Sequence, residues 1–325
     1  MSILIVMSCS GIAHCETTNT LSSPLLEPRY RKISDNYFMT IIPKMSTLIL
    51  FSLFSAVLLI PVGAQSVRLT TSGLVDSFST GNGWSDEQAP HAGAAYQVRG
   101  GGVLRTHEGQ PVFVGDSLMI GNGGRDSAIL LLKAVDKGKP TLNIRNLTLH
   151  RGEMAAGNSY RTVFTGNISL LLENTLNFDQ GGLLVSAASV ISGSGSLVIR
   201  SSDATTSPVV FEGVNTYSGG TQLAAGMLDV KAAGGLGSGN VALSGASTLR
   251  LLSDRALDRS AALWLGNESV VVLAFSGKSI ITALSFDGGR TLAASGIWGS
   301  VGSGADHTNP RLTGPGRLLV GPNAP

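Results

Sequence analysis

Gly115-Asp116-Ser117-Leu118 sets a serine behind an acidic residue in a glycine-led turn, a frame in which the hydroxyl attacks an ester carbonyl when a base stands beside it. The partners are missing. No Gly-x-Asn-Asp segment supplies an oxyanion hole, and His307 follows Asp306 directly, with Gly304 where a catalytic aspartate would stand. The frame therefore reads as a turn running into a strand. Glycoside hydrolysis needs two carboxyl groups facing each other across a groove. The nearest acidic pair is Asp254 and Asp258 in Ser-Asp-Arg-Ala-Leu-Asp-Arg, where each aspartate precedes an arginine and a solvated charge pair is expected. A lyase needs a base beside bound calcium, and Asn122-Gly-Gly-Arg-Asp126 lacks the alternating oxygen ligands of a calcium loop. His91, His107, His150 and His307 show no metal-ligand spacing. Trp84, Trp264, Trp298 and Tyr217 would stack on sugar rings only if presented in a row, and are expected instead to cap or fill a core. No catalytic centre, metal site or cofactor is predicted. Three or more charged side chains converging in one groove would favour catalysis.

Composition narrows the class. Glycine occurs 42 times in 325 residues, aromatics make up 6% and charged residues 14%, which suits a turn-dense β protein better than a charged disordered chain. A net charge of +2, with no Lys/Arg cluster interleaved by aromatics, excludes nucleic acid as a partner. The apolar run LILFSLFSAVLLI (48–60) is broken by Pro61 and followed by Val62-Gly63-Ala64. It predicts a signal peptide over 45–64, cut between Ala64 and Gln65, with Sec-type export machinery as a partner. The run is shorter than the roughly 20 residues that span a bilayer, so no stable membrane span is expected after signal removal. Both cysteines, Cys9 and Cys15, precede the signal. Residues 1–44 read as an unstructured leader with the start set too far upstream, and Met39 is a better start than Met45 because it keeps Lys44 ahead of the apolar run.

Residues 65–325 read as one domain of short strands. Strand-like runs recur at Leu142–Leu149, Ile168–Leu172, Leu183–Val185, Leu197–Ile199, Val209–Phe211, Val270–Phe275, Leu284–Phe286 and Leu318–Val320, most bounded by Gly, Asn, Asp or Ser. Helical spacing is weak; the best stretches, Ala256–Leu265 and Ala128–Val135, are short enough to be loops or buried strands. The regular segment is 213–251. Asn215, Thr216, Tyr217, Gly219 and Gly220 form a polar corner. A strand from Thr221 to Val230 is interrupted at Gly226 and carries Leu228. Gly237 and Gly239 make a second corner before Val241, and Gly245 a third before Leu249.

This segment closely resembles the autotransporter-associated β-strand repeat, N-T-Y-x-G-G-T followed by L-G-x-G-x-V, with Ser247 slightly displacing the last strand. Trp84–Thr106 and Phe286–Val320 resemble the opening and closing segments of proteins that carry it. The resemblance implies an all-β, right-handed parallel β-helix, a β-solenoid of the pectin-lyase-like kind, in a secreted or cell-surface protein. It implies no activity. Coils of roughly 20 to 25 residues would number about eleven. The ends of such a stack are open sheet edges, and Trp84 and Trp298 stand where caps are expected. The function read here is structural or adhesive, with polysaccharide or other surface components as partners, in the periplasm or outside. A polysaccharide-active enzyme on the same fold is the alternative, since exported β-helices include pectate lyases and polygalacturonases, although the characteristic polygalacturonase blocks are absent. Nothing after Val320 suits membrane strands, so self-secretion through an attached barrel is not expected of the chain as given, and a passenger-type fragment of a larger surface protein is a third reading.

Overall fold

The computed structural model describes residues 65–74, 76–106, 112–133, 141–156, 161–178, 181–201 and 208–321. The leader, the signal peptide up to Ala64 and His107 lie outside them. The described residues contain strands and turns and no helix. None offers a helix long and apolar enough to cross a membrane.

The strands stack in parallel on three faces, giving a β-solenoid of about eight turns. The first face begins Gln65–Arg68, Ala94–Val98 and Ser117–Gly121, continues through 146–150 and 167–171, and reaches Ile191–Gly193. The second runs through Val103–Arg105, Ala128–Leu132, Gly152–Ala156, Glu173–Phe178, Ser196–Ser201, 221–225, Val241–Leu243, Ala262–Leu265 and Ala283–Ser285. The third includes Gly182–Val185, Val209–Phe211, 226–230, Ser247–Leu251 and Val270–Leu273. Each strand alternates side chains inward and outward, and stacking in register sets each inward side chain on its equivalent one coil away. The second face shows the result. Leu104, Leu130, Met154, Leu176, Ile199, Leu223, Leu243 and Leu265 are consecutive ladder partners, and all are buried. Burying each such side chain contributes about 1.5–3 kcal/mol.

One expectation needs adjustment. The turns number about eight and not eleven; the chain leaves the coil path after Ala283–Ser285, an excursion about one coil long, and rejoins the third face only at Leu312–Thr313, which pairs with Val271 and Val272. Within that excursion Gly296–Gly299 runs antiparallel to Arg317–Val320, which itself lies parallel on Lys278–Ile281. The weak helical stretches are strands and turns: Ala128–Leu132 and Ala262–Leu265 are second-face strands. Runs such as Gly152–Ala156, sequence GEMAA, carry no strand signal of their own and are templated by Ala128–Leu132 and Glu173–Phe178 on either side.

Gly226 explains the interruption in Thr221–Val230. There the strand passes from the second face to the third with φ +77°, and a Cβ would fall inside contact distance of the Ser201 carbonyl oxygen. Gly93 has φ +85° with open space where its Cβ would stand. Both substitutions to alanine carry the left-handed strain of roughly 1–2 kcal/mol, but only Gly226→Ala must also push two coils apart. Gly226→Ala is expected to lower the melting temperature clearly more than Gly93→Ala; equal losses would contradict this packing.

Candidate functional site

The serine frame builds a turn. Ser117 pairs with Ala95 in the first-face ladder, and the Asp116 N–H donates to the Ala94 carbonyl at 3.0 Å. A Cβ at Gly115 would stand 2.6 Å from the Tyr96 ring and 2.7 Å from the Phe113 ring, so this glycine lets the chain pass an aromatic cluster. Trp84 belongs to that cluster. It is buried, its ring centroid lies 4.8 Å from that of Tyr96, and its Nε1–H donates to the Ser77 carbonyl at 2.6 Å. Trp298 sits at the other end, half-buried between Phe286 (5.2 Å) and a stacked His307 (4.8 Å). Arg311 joins that excursion to the coils, donating to the Gly266 and Phe286 carbonyls. Asp287 fastens its start: hydrogen bonds from Thr291, chiefly its hydroxyl, and from Ser285 hold the carboxyl well below the usual carboxylate range. The four aromatic residues form no row, since Trp84 and Tyr217 are buried.

The repeat residues meet one another across coils. Asn215 ties three of them: its Oδ1 accepts from the Ile191 N–H at 2.8 Å, its Nδ2 donates to the Gly235 carbonyl at 2.6 Å, and its own N–H donates to the Gly234 carbonyl. The Thr216 N–H donates to the Ile191 carbonyl. Tyr217 is fully buried with its hydroxyl 2.5 Å from Thr221 Oγ1. Gly219 closes on the Gly195 backbone at 3.2 Å (N to O), and Gly239 lies against Gly220, approaches that leave no room for a Cβ. Gly237 likewise faces the Tyr217 carbonyl, and Gly245 opens the turn before Ser247–Leu251. Leu228, Val241 and Leu249 point into the core.

The histidines are scattered among different partners: His91 Nδ1 lies 2.9 Å from the Ala92 carbonyl, His150 packs beside Gly123 and His307 lies on Trp298. Among the described residues no group of three or more His, Cys, Asp or Glu side chains is placed to hold a metal ion. Asn122 Oδ1 accepts from the Gly124 N–H, an ordinary turn contact.

Two grooves carry charge on the outside. One, about 510 Å³, lies over the third face between Arg161, Val210, Met227, Asp229, Lys231 and Arg250. Its charges are largely spent on each other. Buried Asp229 accepts from Arg250 Nε at 2.9 Å and from Nη2, which holds the guanidinium above its ordinary value, and Lys231 donates to Glu212 at 2.8 Å. The other, about 490 Å³, runs along the corner between the third and first faces. Asp254, Arg255, Asp258, Arg259 and Lys278 all line it. The sequence dispersed these charges along one segment and a distant lysine; coiling brings them together. Asp258 is engaged with its own turn, its Oδ1 accepting from the Ser260 N–H at 2.8 Å and from the hydroxyl at 2.5 Å.

Burial pushes the Tyr217 phenol well above its ordinary value. A group raised on folding stabilises fully below its unfolded pKa, near 10, and loses that contribution as pH climbs through the folded value. Tyr217→Phe strands Thr221 Oγ1 and is expected to cost about 1–2 kcal/mol in denaturant melting, while removing the most alkaline component of the phenolate titration. Unchanged stability and titration would remove the assigned hydrogen bond. Comparison of the chain with family models, curated proteins and solved structures finds no match.

Proposed function

We propose that this chain is an exported β-solenoid that acts as a structural and adhesive element, secreted or at a cell surface, with polysaccharide or other surface components as its partners. The observation that supports this reading best is the division of labour along the coils. The repeat corner Asn215–Gly220, the Tyr217–Thr221 pair and the aliphatic ladders are consumed in holding coils together, and what faces outward is an axial groove lined by charge. The export half of the proposal rests on the apolar run at 48–60 and its small-residue end at Ala64. The likeness of 213–251 to the autotransporter-associated β-strand repeat adds the surface setting.

A polysaccharide-active enzyme is the second reading, because five ionisable side chains line that one groove. Against it, Asp258 is tied to Ser260, which leaves Asp254 without a free acidic counterpart in the groove for the two-carboxylate chemistry. Purified protein incubated with plant, algal and bacterial polysaccharides separates the two. Binding without release of reducing or unsaturated sugar is the expected result; turnover of any glycan would replace the adhesive reading with the enzymatic one.

The end roles of Trp84 and Trp298 belong to the same proposal. Trp84 anchors the Phe78–Tyr96–Phe113 cluster beside the first coils, and Trp298 sits where the antiparallel strand Gly296–Gly299 covers Arg317–Val320. Trp84→Ala is expected to cost about 3–5 kcal/mol, read as a lower melting temperature. An unchanged melt would end the capping role.

A further inference from the structure

We propose that the corner groove is the binding site for an acidic glycan, with uronate carboxylates held by Arg255 and Lys278. This names the ligand class of the adhesive reading and rests on it. The groove draws its walls from four successive coils: Val214 follows the third-face strand ending at Phe211, Gly234 the one ending at Val230, Asp254 and Arg255 the one ending at Leu251, and Lys278 and Ile280 the one ending at Leu273. Three steps of about 4.8 Å give an axial run on the order of 15 Å. The site therefore suits an extended chain lying along the solenoid and not a compact molecule.

The lining divides into two chemistries. Val214 is 57% exposed and Ile280 partly exposed, and over the buried Leu257 they offer aliphatic surface on which the C–H faces of sugar rings can lie. Beside that surface, Arg255 and Lys278 are exposed on adjacent coils, and neither makes an ion pair among the described residues. A guanidinium accepts a carboxylate through two parallel N–H donors and an ammonium takes it as a point charge. Cations repeated from one coil to the next match carboxylates repeated along a polymer. Asp254, exposed beside them, is placed to accept sugar hydroxyls, and Asp258 is occupied by Ser260. Arg259 has an interaction of its own and is not needed for the assignment. The lining contains no aromatic side chain, which disfavours the base-stacking mode of single-stranded nucleic acid.

The test titrates the full chain with an oligogalacturonate and with a cello-oligosaccharide of equal length, at low and at high salt. Wild-type protein should bind the acidic oligomer preferentially, and added salt should weaken it. Arg255→Gln with Lys278→Gln should lower that affinity at least about tenfold at unchanged melting temperature, since both side chains are exposed, whereas Arg125→Gln elsewhere on the surface should not. Acidic binding that survives the double substitution would overturn the groove assignment and leave the adhesive reading standing. Equal affinity for acidic and neutral oligomers would overturn the assigned ligand class. Failure to bind either oligomer would overturn the acidic-glycan assignment, whereas the adhesive reading stands or falls on the polysaccharide panel.

Discussion

The register of one coil upon the next is the constraint on which everything else in this protein depends. Parallel strands satisfy their backbone groups only through the coils above and below, so a coil is not stable alone, and a one-residue slip would turn every inward leucine to water. The second-face row from Leu104 to Leu265 shows how strictly this is kept, with eight buried apolar side chains as ladder partners in series. Extra residues must therefore leave through the corners. The excursion between Phe286 and Arg311 does so, and Arg311 fastens it back by donating to Gly266 and Phe286.

Corners carry the cost of this arrangement, because each turn removes backbone donors and acceptors from the ladders while keeping them close to the core. Asparagines answer at several coils, Asn174 and Asn215 buried and Asn240 exposed. Asn174 accepts from the Gly152 N–H and donates to the Leu171 and Leu172 carbonyls, Asn215 bridges Ile191 to Gly235, and Asn240 accepts from the Ala262 N–H. The corner between the first and second faces also changes character along the stack. Arg151 and Leu172 hold left-handed conformations there at φ +56° and +61°, and in later coils Gly195, Gly219 and Gly239 bring backbone against backbone instead. In the recognisable repeat Gly219 and Gly239 hold that column, as Gly100 does near the start of the stack.

This accounts for what was legible in the sequence. Turn chemistry is local, so Asn215–Gly220 and Gly237–Gly239 announced corners, and apolar runs such as Val209–Phe211 and Val270–Leu273 announced strands. A strand whose inward residues are few or small, such as Gly152–Ala156, was not legible, because neighbouring coils and not its own propensity make it a strand. The charged groove was hidden for a related reason. Lys278 stands more than twenty residues after Arg255, and only the coil repeat sets them side by side. Equally, the packing of Gly115 against the Tyr96 and Phe113 rings was not legible in the Gly-Asp-Ser-Leu frame, because the Tyr96 ring comes from the neighbouring coil.

The stack's central claim is its register, and disulfide trapping tests it most directly. Thr248 and Val270 are outward ladder partners one coil apart on the third face, whereas Val271 faces the core. Strand neighbours about 4.8 Å apart fall within disulfide reach. Cysteines at 248 and 270 should oxidise to a linked pair detectable by mass spectrometry, and cysteines at 248 and 271 should not. Efficient linkage of 248 to 271, or none of 248 to 270, would contradict the register and with it the corner groove that the register assembles.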